Sequence, residues 1–259
     1  MAQIVLFVVA LFGVPWILNQ VLPAPSGTLG SFLLTLIPSV WAPTVLAIIF
    51  IAAVSGVTGV REELRARFCY RRETGQWLFI ACAVPVVIVG AAILVARASG
   101  DSSSFVGSSA LPVAIALQVA TGAVGEELGW RGFLVSRLEA RTGWVSAVWI
   151  MSTLWSAWHI PAFFNPSLPH YTMPMGWVLA FILFFGAFMG LLFQRTGASI
   201  LATIAAHLSL NIMTALGGAS LDSSVFWGVL ACSFGVVSCL GTIWIRGARI
   251  QSPELTAPV

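Results

Sequence analysis

Leu111–Gly143 reads LPVAIALQVATGAVGEELGWRGFLVSRLEARTG. Its first part is apolar, and Ala110–Val124 carries no charge at all. The run then meets two adjacent carboxylates, Glu126 and Glu127, with Arg131 close behind. Other uncharged stretches, such as Val145–Leu154 and Ile200–Ala206, lead in the same way to His159 and to His207 with Asn211. A charged group at the centre of a bilayer costs about 2.5–3.5 kcal/mol on insertion scales, so ionisable residues inside such segments point to function. Three separate helices each supply part of the polar set. The pattern predicts an enzyme whose active site lies within the membrane.

The rest of the chain agrees with a membrane setting. Of 259 residues, 59% are hydrophobic and 8% are charged, against about 25% charged in soluble domains. A spanning helix needs about 20 mostly apolar residues. Eight segments qualify: 3–22, 38–58, 77–97, 110–131, 144–164, 175–194, 197–217 and 225–245. The expected fold class is all-α, a polytopic integral membrane protein of about eight transmembrane helices forming one domain over residues 1–259. The first segment lacks a charged leader and a small-residue cleavage site, so it reads as a retained helix. The expected partners are the lipid bilayer and a peptide or protein substrate at the membrane, with no nucleic acid.

The net charge is +3, and no lysine occurs. Arg61, Arg65, Arg67, Arg71 and Arg72 lie between the second and third segments, Arg137 and Arg141 follow the fourth, Arg195 follows the sixth, and Arg246 and Arg249 follow the eighth. With alternating helices these loops share one side, and only Arg97, beside Asp101, falls on the other. By the positive-inside rule both termini are cytoplasmic, in a multi-pass protein of the cell membrane. Residues 61–75 alternate charges and suit a short surface helix. Gly132–Arg141 is amphipathic and is expected at the cytoplasmic interface. The Pro23–Ala24–Pro25 stretch, Gly100–Ser109 and Asn165–Pro174 read as loops. Cys69, Cys82, Cys232 and Cys239 lack metal spacing and read as packing thiols.

Glu126 and Glu127 project about 100° apart on a helix and cannot face one partner. Arg131 stands four residues after Glu127, the favourable ion-pair spacing. Glu126 is then left without a local partner, and a carboxylate in that position can act as a general base. Trp155 and His159 share a face, as do His207 and Asn211. A histidine with an amide offers the N–H donors that an oxyanion needs. An interhelical hydrogen-bond pair is the structural alternative. His170 sits in an external loop and is given no role. No HExxH motif occurs, no serine has a convincing nucleophile context, and no aspartate lies inside a span, so those protease types are set aside. By helix rise alone, Glu126 lies about 7 Å from the cytoplasmic face, His207 about 17 Å and His159 about 24 Å. One shared site then requires tilted or displaced helices, with the site in the cytoplasmic half.

Glu126–Glu127–x3–Arg131, then Trp155–x3–His159, then His207–x3–Asn211, resemble the signature of the CPBP family, the type II CAAX prenyl endopeptidases and bacteriocin self-immunity proteins. The resemblance covers residues 110–215, which form the expected catalytic core, and departs from the family in carrying Trp155 where Phe is usual. It implies that Glu126 activates water with His159, that His207 and Asn211 stabilise the oxyanion, and that Glu127 and Arg131 support them. The family has been described both as metalloproteases and as glutamate proteases. Zinc is therefore left open, with Glu126, His159 and His207 as its ligands if present. The rival functions are a non-catalytic scaffold or bacteriocin-immunity protein, and a proton-coupled transporter. The latter favours paired broken helices and internal repeats, which the sequence does not display.

Overall fold

The computed structural model describes residues 1–21, 29–70, 74–101, 111–218 and 220–251. These form helices and the turns between them, and no strand occurs among the described residues. The first three rods are α1 (Ala2–Val21), α2 (Leu29–Arg67) and α3 (Thr74–Ala98). The fourth is composite: α4 (Leu111–Thr121), α5 (Ala123–Glu127), a π-helical segment (Leu128–Val135) and α6 (Ser136–Thr142). Then come α7 (Trp144–Trp158), α8 (Met175–Arg195), α9 (Leu201–Leu216) and α10 (Ser224–Gln251). Two 3-10 turns, Ile160–Phe164 and Pro169–Thr172, lie between α7 and α8. Among the described residues, eight rods are thus found where eight apolar segments were expected.

This is an all-α polytopic membrane protein. Ile37–Arg67, Thr74–Ala98, Met175–Arg195 and Ser224–Ile245 are each long and apolar enough to cross a bilayer, and Ala2–Leu18 and Leu201–Leu216 are shorter apolar helices. The outward faces carry large apolar side chains, including Leu6, Val54, Phe79, Leu94, Leu240 and Trp244. Water would oppose such a surface, and hydrocarbon accepts it. Cys82, Cys232 and Cys239 are also exposed, so these three are not the packing thiols expected.

Three expectations about local structure change. The surface helix over 61–75 is the end of α2, redirected at Gly56 (φ 64, ψ −168) and running on to Arg67. Of the expected amphipathic segment Gly132–Arg141, the first four residues belong to the buried Leu128–Val135 segment, and the half-exposed part is α6, in which Leu138 alone is buried. The fifth rod stops at Trp158 rather than 164. Pro161 disfavours helical geometry in the residue before it, and the chain tightens into the first 3-10 turn with His159 at the junction. The expectations for Pro23–Ala24–Pro25, Arg71, Arg72 and 102–109 fall outside the described residues.

Close helix approach is set by small residues. A Cβ on Gly129 would lie 2.4 Å from the backbone carbonyl of Pro43, so the π segment and α2 touch backbone to backbone. On α8, Gly190 receives Val148, and Gly186 receives Ser152 and the ring of Trp155. Such small-residue faces are how helices associate without a hydrophobic drive, and this one fixes the rotation of α7. The charged loops gather at one end. Arg67 bonds Glu63 and the carbonyl of Ala198, and Gln194 bonds Glu139. At another point Asp101, past the end of α3, bonds Ser223 at the start of α10.

Candidate active site

The fourth rod carries the first motif on its least regular part. α4 breaks at Gly122 (φ −153, ψ −113), and the π-helical turns begin directly after Glu127. π-Helical turns are rare and concentrate at functional sites. The rod continues to Thr142, so Glu126 stands sixteen residues, about 24 Å, from its end. His159 stands fifteen residues, about 22 Å, from the start of α7. The depth mismatch came from ending this rod at 131. Glu126 lies near the middle of the rod that runs from Leu111 to Thr142.

The two carboxylates diverge. Glu127 is fully buried, and its Oε1 accepts a bond of 2.9 Å from Arg131 Nη1. The same oxygen lies 3.0 Å from His207 Nδ1, on α9. The Glu127–Arg131 pair was expected from spacing, but its extension to His207 was not. Glu126 turns the other way and lines a cavity of about 630 Å3 together with His159, His207 and Asn211. Its Oε2 accepts a bond of 2.7 Å from the indole N–H of Trp155. The guanidinium of Arg131 lies over that indole, 4.4 Å from the ring centre. Trp155 therefore joins the two carboxylates: it donates to one and stacks on the cation that neutralises the other.

Hydrogen bonding sets the state of both imidazoles. His159 Nδ1 is 2.8 Å from the carbonyl oxygen of Trp155. A carbonyl only accepts, so Nδ1 carries the proton and Nε2 of the neutral ring has a lone pair. The carboxylate of Glu127 imposes the same tautomer on His207. This alters one expectation: neutral His207 is not an N–H donor at Nε2, and donation there needs the doubly protonated ring. Asn211 keeps two N–H groups. The cavity wall is mainly apolar, built from residues such as Phe181, Phe185, Leu210 and Trp227, and it extends to Asn165–His170 between α7 and α8. His170 lines it with its ring centre 6.0 Å from that of His159.

Zinc would need three ligands. Among the described residues, no three His, Cys, Asp or Glu side chains gather as a set that could hold a metal ion. The arrangement in hand does not fit a bound zinc.

Fold and site together define a polytopic helical membrane protein with a carboxylate, two imidazoles and an amide on one cavity. Residues 108–213 match the family model described as type II CAAX prenyl endopeptidase Rce1-like. CAAX prenyl protease 2 of Methanococcus maripaludis is 28% identical over 164 residues, which cover 58% of this chain and 57% of that relative. The match thus spans a little over half of the relative's length. The segment matched by the family model contains all three motifs, and both similarities bear out the CPBP resemblance read from them.

Proposed function

We propose that this protein is an intramembrane endopeptidase of the CAAX type, cutting peptide bonds of membrane-associated substrates. The observation that carries the proposal is the division of labour between the adjacent glutamates. Glu127 is consumed by Arg131 and His207, while Glu126 faces the cavity with His159, His207 and Asn211. Glu126 takes a proton from a water held against His159 Nε2, and the hydroxide attacks the scissile carbonyl. Asn211 donates to the developing oxyanion. His207 adds a second donor when doubly protonated, with Glu127 placed to compensate that charge, much as a triad carboxylate orients its histidine. Glu126 then returns the proton to the leaving amine. Trp155 and Arg131 are positioning residues.

The Arg-rich end faces the cytoplasm on this proposal, and both termini with it. The test is a proteomic comparison of cells carrying the intact protein or Glu126→Ala. Peptide termini present only with the intact protein support the proposal. Identical termini in both strains contradict it and favour the immunity or scaffold role.

A further inference from the structure

The cavity that holds Glu126 occupies one half of the helix bundle. On α8 its wall runs from Val178 to Phe185, and Phe185 stands ten residues from either end of that helix. On α7 the wall takes the last turn, on α9 it begins at His207 and continues to Ala215, and on α10 it is Trp227 in the first turn. The connections from α7 to α8 and from α9 to α10 form the rim. Ser167 and Pro169 line the cavity and are exposed, so it reaches the protein surface at that end. The other half is packed. Phe133, Leu134, Met151, Met189 and Phe193 are completely buried there, and Glu127 and Arg131 are equally inaccessible. Beyond the packed half lie the arginines: Arg67 is bonded to the α8–α9 connection, Arg137 and Arg141 are on α6, and Arg195 ends α8. Among the described residues, Glu126 and three histidines are the only ionisable groups lining the cavity.

We infer that the active-site cavity takes its substrate from the external face of the membrane, and that the substrate is an external peptide segment, uncharged around the cut, of an exported or membrane-anchored chain. The positive-inside rule places the arginine end in the cytoplasm, and the cavity opens at the opposite end. This reverses the cytoplasmic half expected for the site from the sequence. A charged side chain drawn into the cavity would lose its water among mainly apolar walls, at a high cost unless paired, so the segment that fits is apolar or neutral. The assignment rests on the endopeptidase proposal and adds to it the side and the character of the substrate.

The experiment uses sealed membrane vesicles carrying the full-length protein, prepared right-side-out and inside-out. The probe is a peptide that the intact protein cleaves in lipid nanodiscs, made impermeant by a sulfonated dye on a Gly-Ser linker at one end. Right-side-out vesicles should cleave it directly, and inside-out vesicles only after permeabilisation. A reporter fusion at Arg71 fixes the orientation in the same cells. A second measurement uses chains whose four native cysteines are replaced by alanine, with Ser167→Cys at the rim or Arg65→Cys at the arginine end. An impermeant thiol reagent added to right-side-out vesicles should abolish cleavage by the Ser167→Cys chain. The Arg65→Cys chain should keep its cleavage when the reagent reaches both faces. Cleavage by inside-out vesicles alone, or equal cleavage by both kinds of vesicle, overturns the assignment. So does a loss confined to the Arg65→Cys chain, or an external Arg71 reporter. Each of these leaves the protease proposal standing. Absence of any cleaved peptide with the intact protein in nanodiscs, or undiminished cleavage by Glu126→Gln, overturns the proposal beneath it.

Discussion

Replacing Glu127 by Gln should damage the fold far more than the same change at Glu126. Glu127 and Arg131 are both fully buried and joined at 2.9 Å through Nη1, and Nε and Nη2 of Arg131 have no hydrogen-bond partner among the described residues. Removing one member of a buried ion pair strands the other charge, at a cost of about 3–5 kcal/mol. For a chain of this size that corresponds to roughly 6–20 °C in Tm, at about 2–4 °C per kcal/mol. Glu126 forms no ion pair among the described residues, and the carbonyl of a glutamine there still accepts from the Trp155 indole, so its change should stay within about 1 kcal/mol. Thermal unfolding in nanodiscs, followed by loss of monodisperse protein, measures the contrast. The double replacement Glu127→Leu with Arg131→Met should recover much of the loss, because apolar isosteres of a buried pair are often neutral or stabilising. It should not recover cleavage, since His207 has lost its Nδ1 acceptor. Equal Tm losses for the two single Gln variants, or a double variant no better than Glu127→Gln, would refute the clamp.

Other consequences follow from the same geometry. Trp155→Phe keeps a ring beneath Arg131 and loses the indole N–H to Glu126; it should retain cleavage within about 10-fold, as the loss of one buried hydrogen bond allows, whereas Trp155→Ala should lose it with stability. Asn211→Ala should lower kcat by about 10²–10³ as an oxyanion donor, more than it weakens binding, and chelators should leave a peptide assay unaffected. One equivalent of zinc in the purified protein, lost with activity in His159→Ala or His207→Ala, would replace that scheme with metal-bound water. Reporter fusions at Ser104 and Pro169 should read as external and at Arg71 as internal; an external Arg71 would invert the side of substrate entry.

The helices were legible because apolar length and arginine spacing are one-dimensional properties. The Glu127–Arg131 pair was legible because four-residue spacing fixes proximity on a helical turn. His207 against Glu127 was not, because the two are separated by 80 positions and meet only once helix rotations are set. Those rotations depend on contacts such as Gly129 against Pro43 and Gly186 against Trp155, which a sequence does not pair. The π-helical turns after Glu127 have no signature in GEELGWRGFLV, and missing them ended the fourth rod eleven residues early.

Cleavage by purified protein in nanodiscs, compared between the intact chain and Glu126→Gln and read as new peptide termini by mass spectrometry, tests the central claim most directly. The account predicts defined termini from the intact protein and none from Glu126→Gln, with Tm values within a few degrees of each other. The same termini at the same rate from both proteins would contradict it.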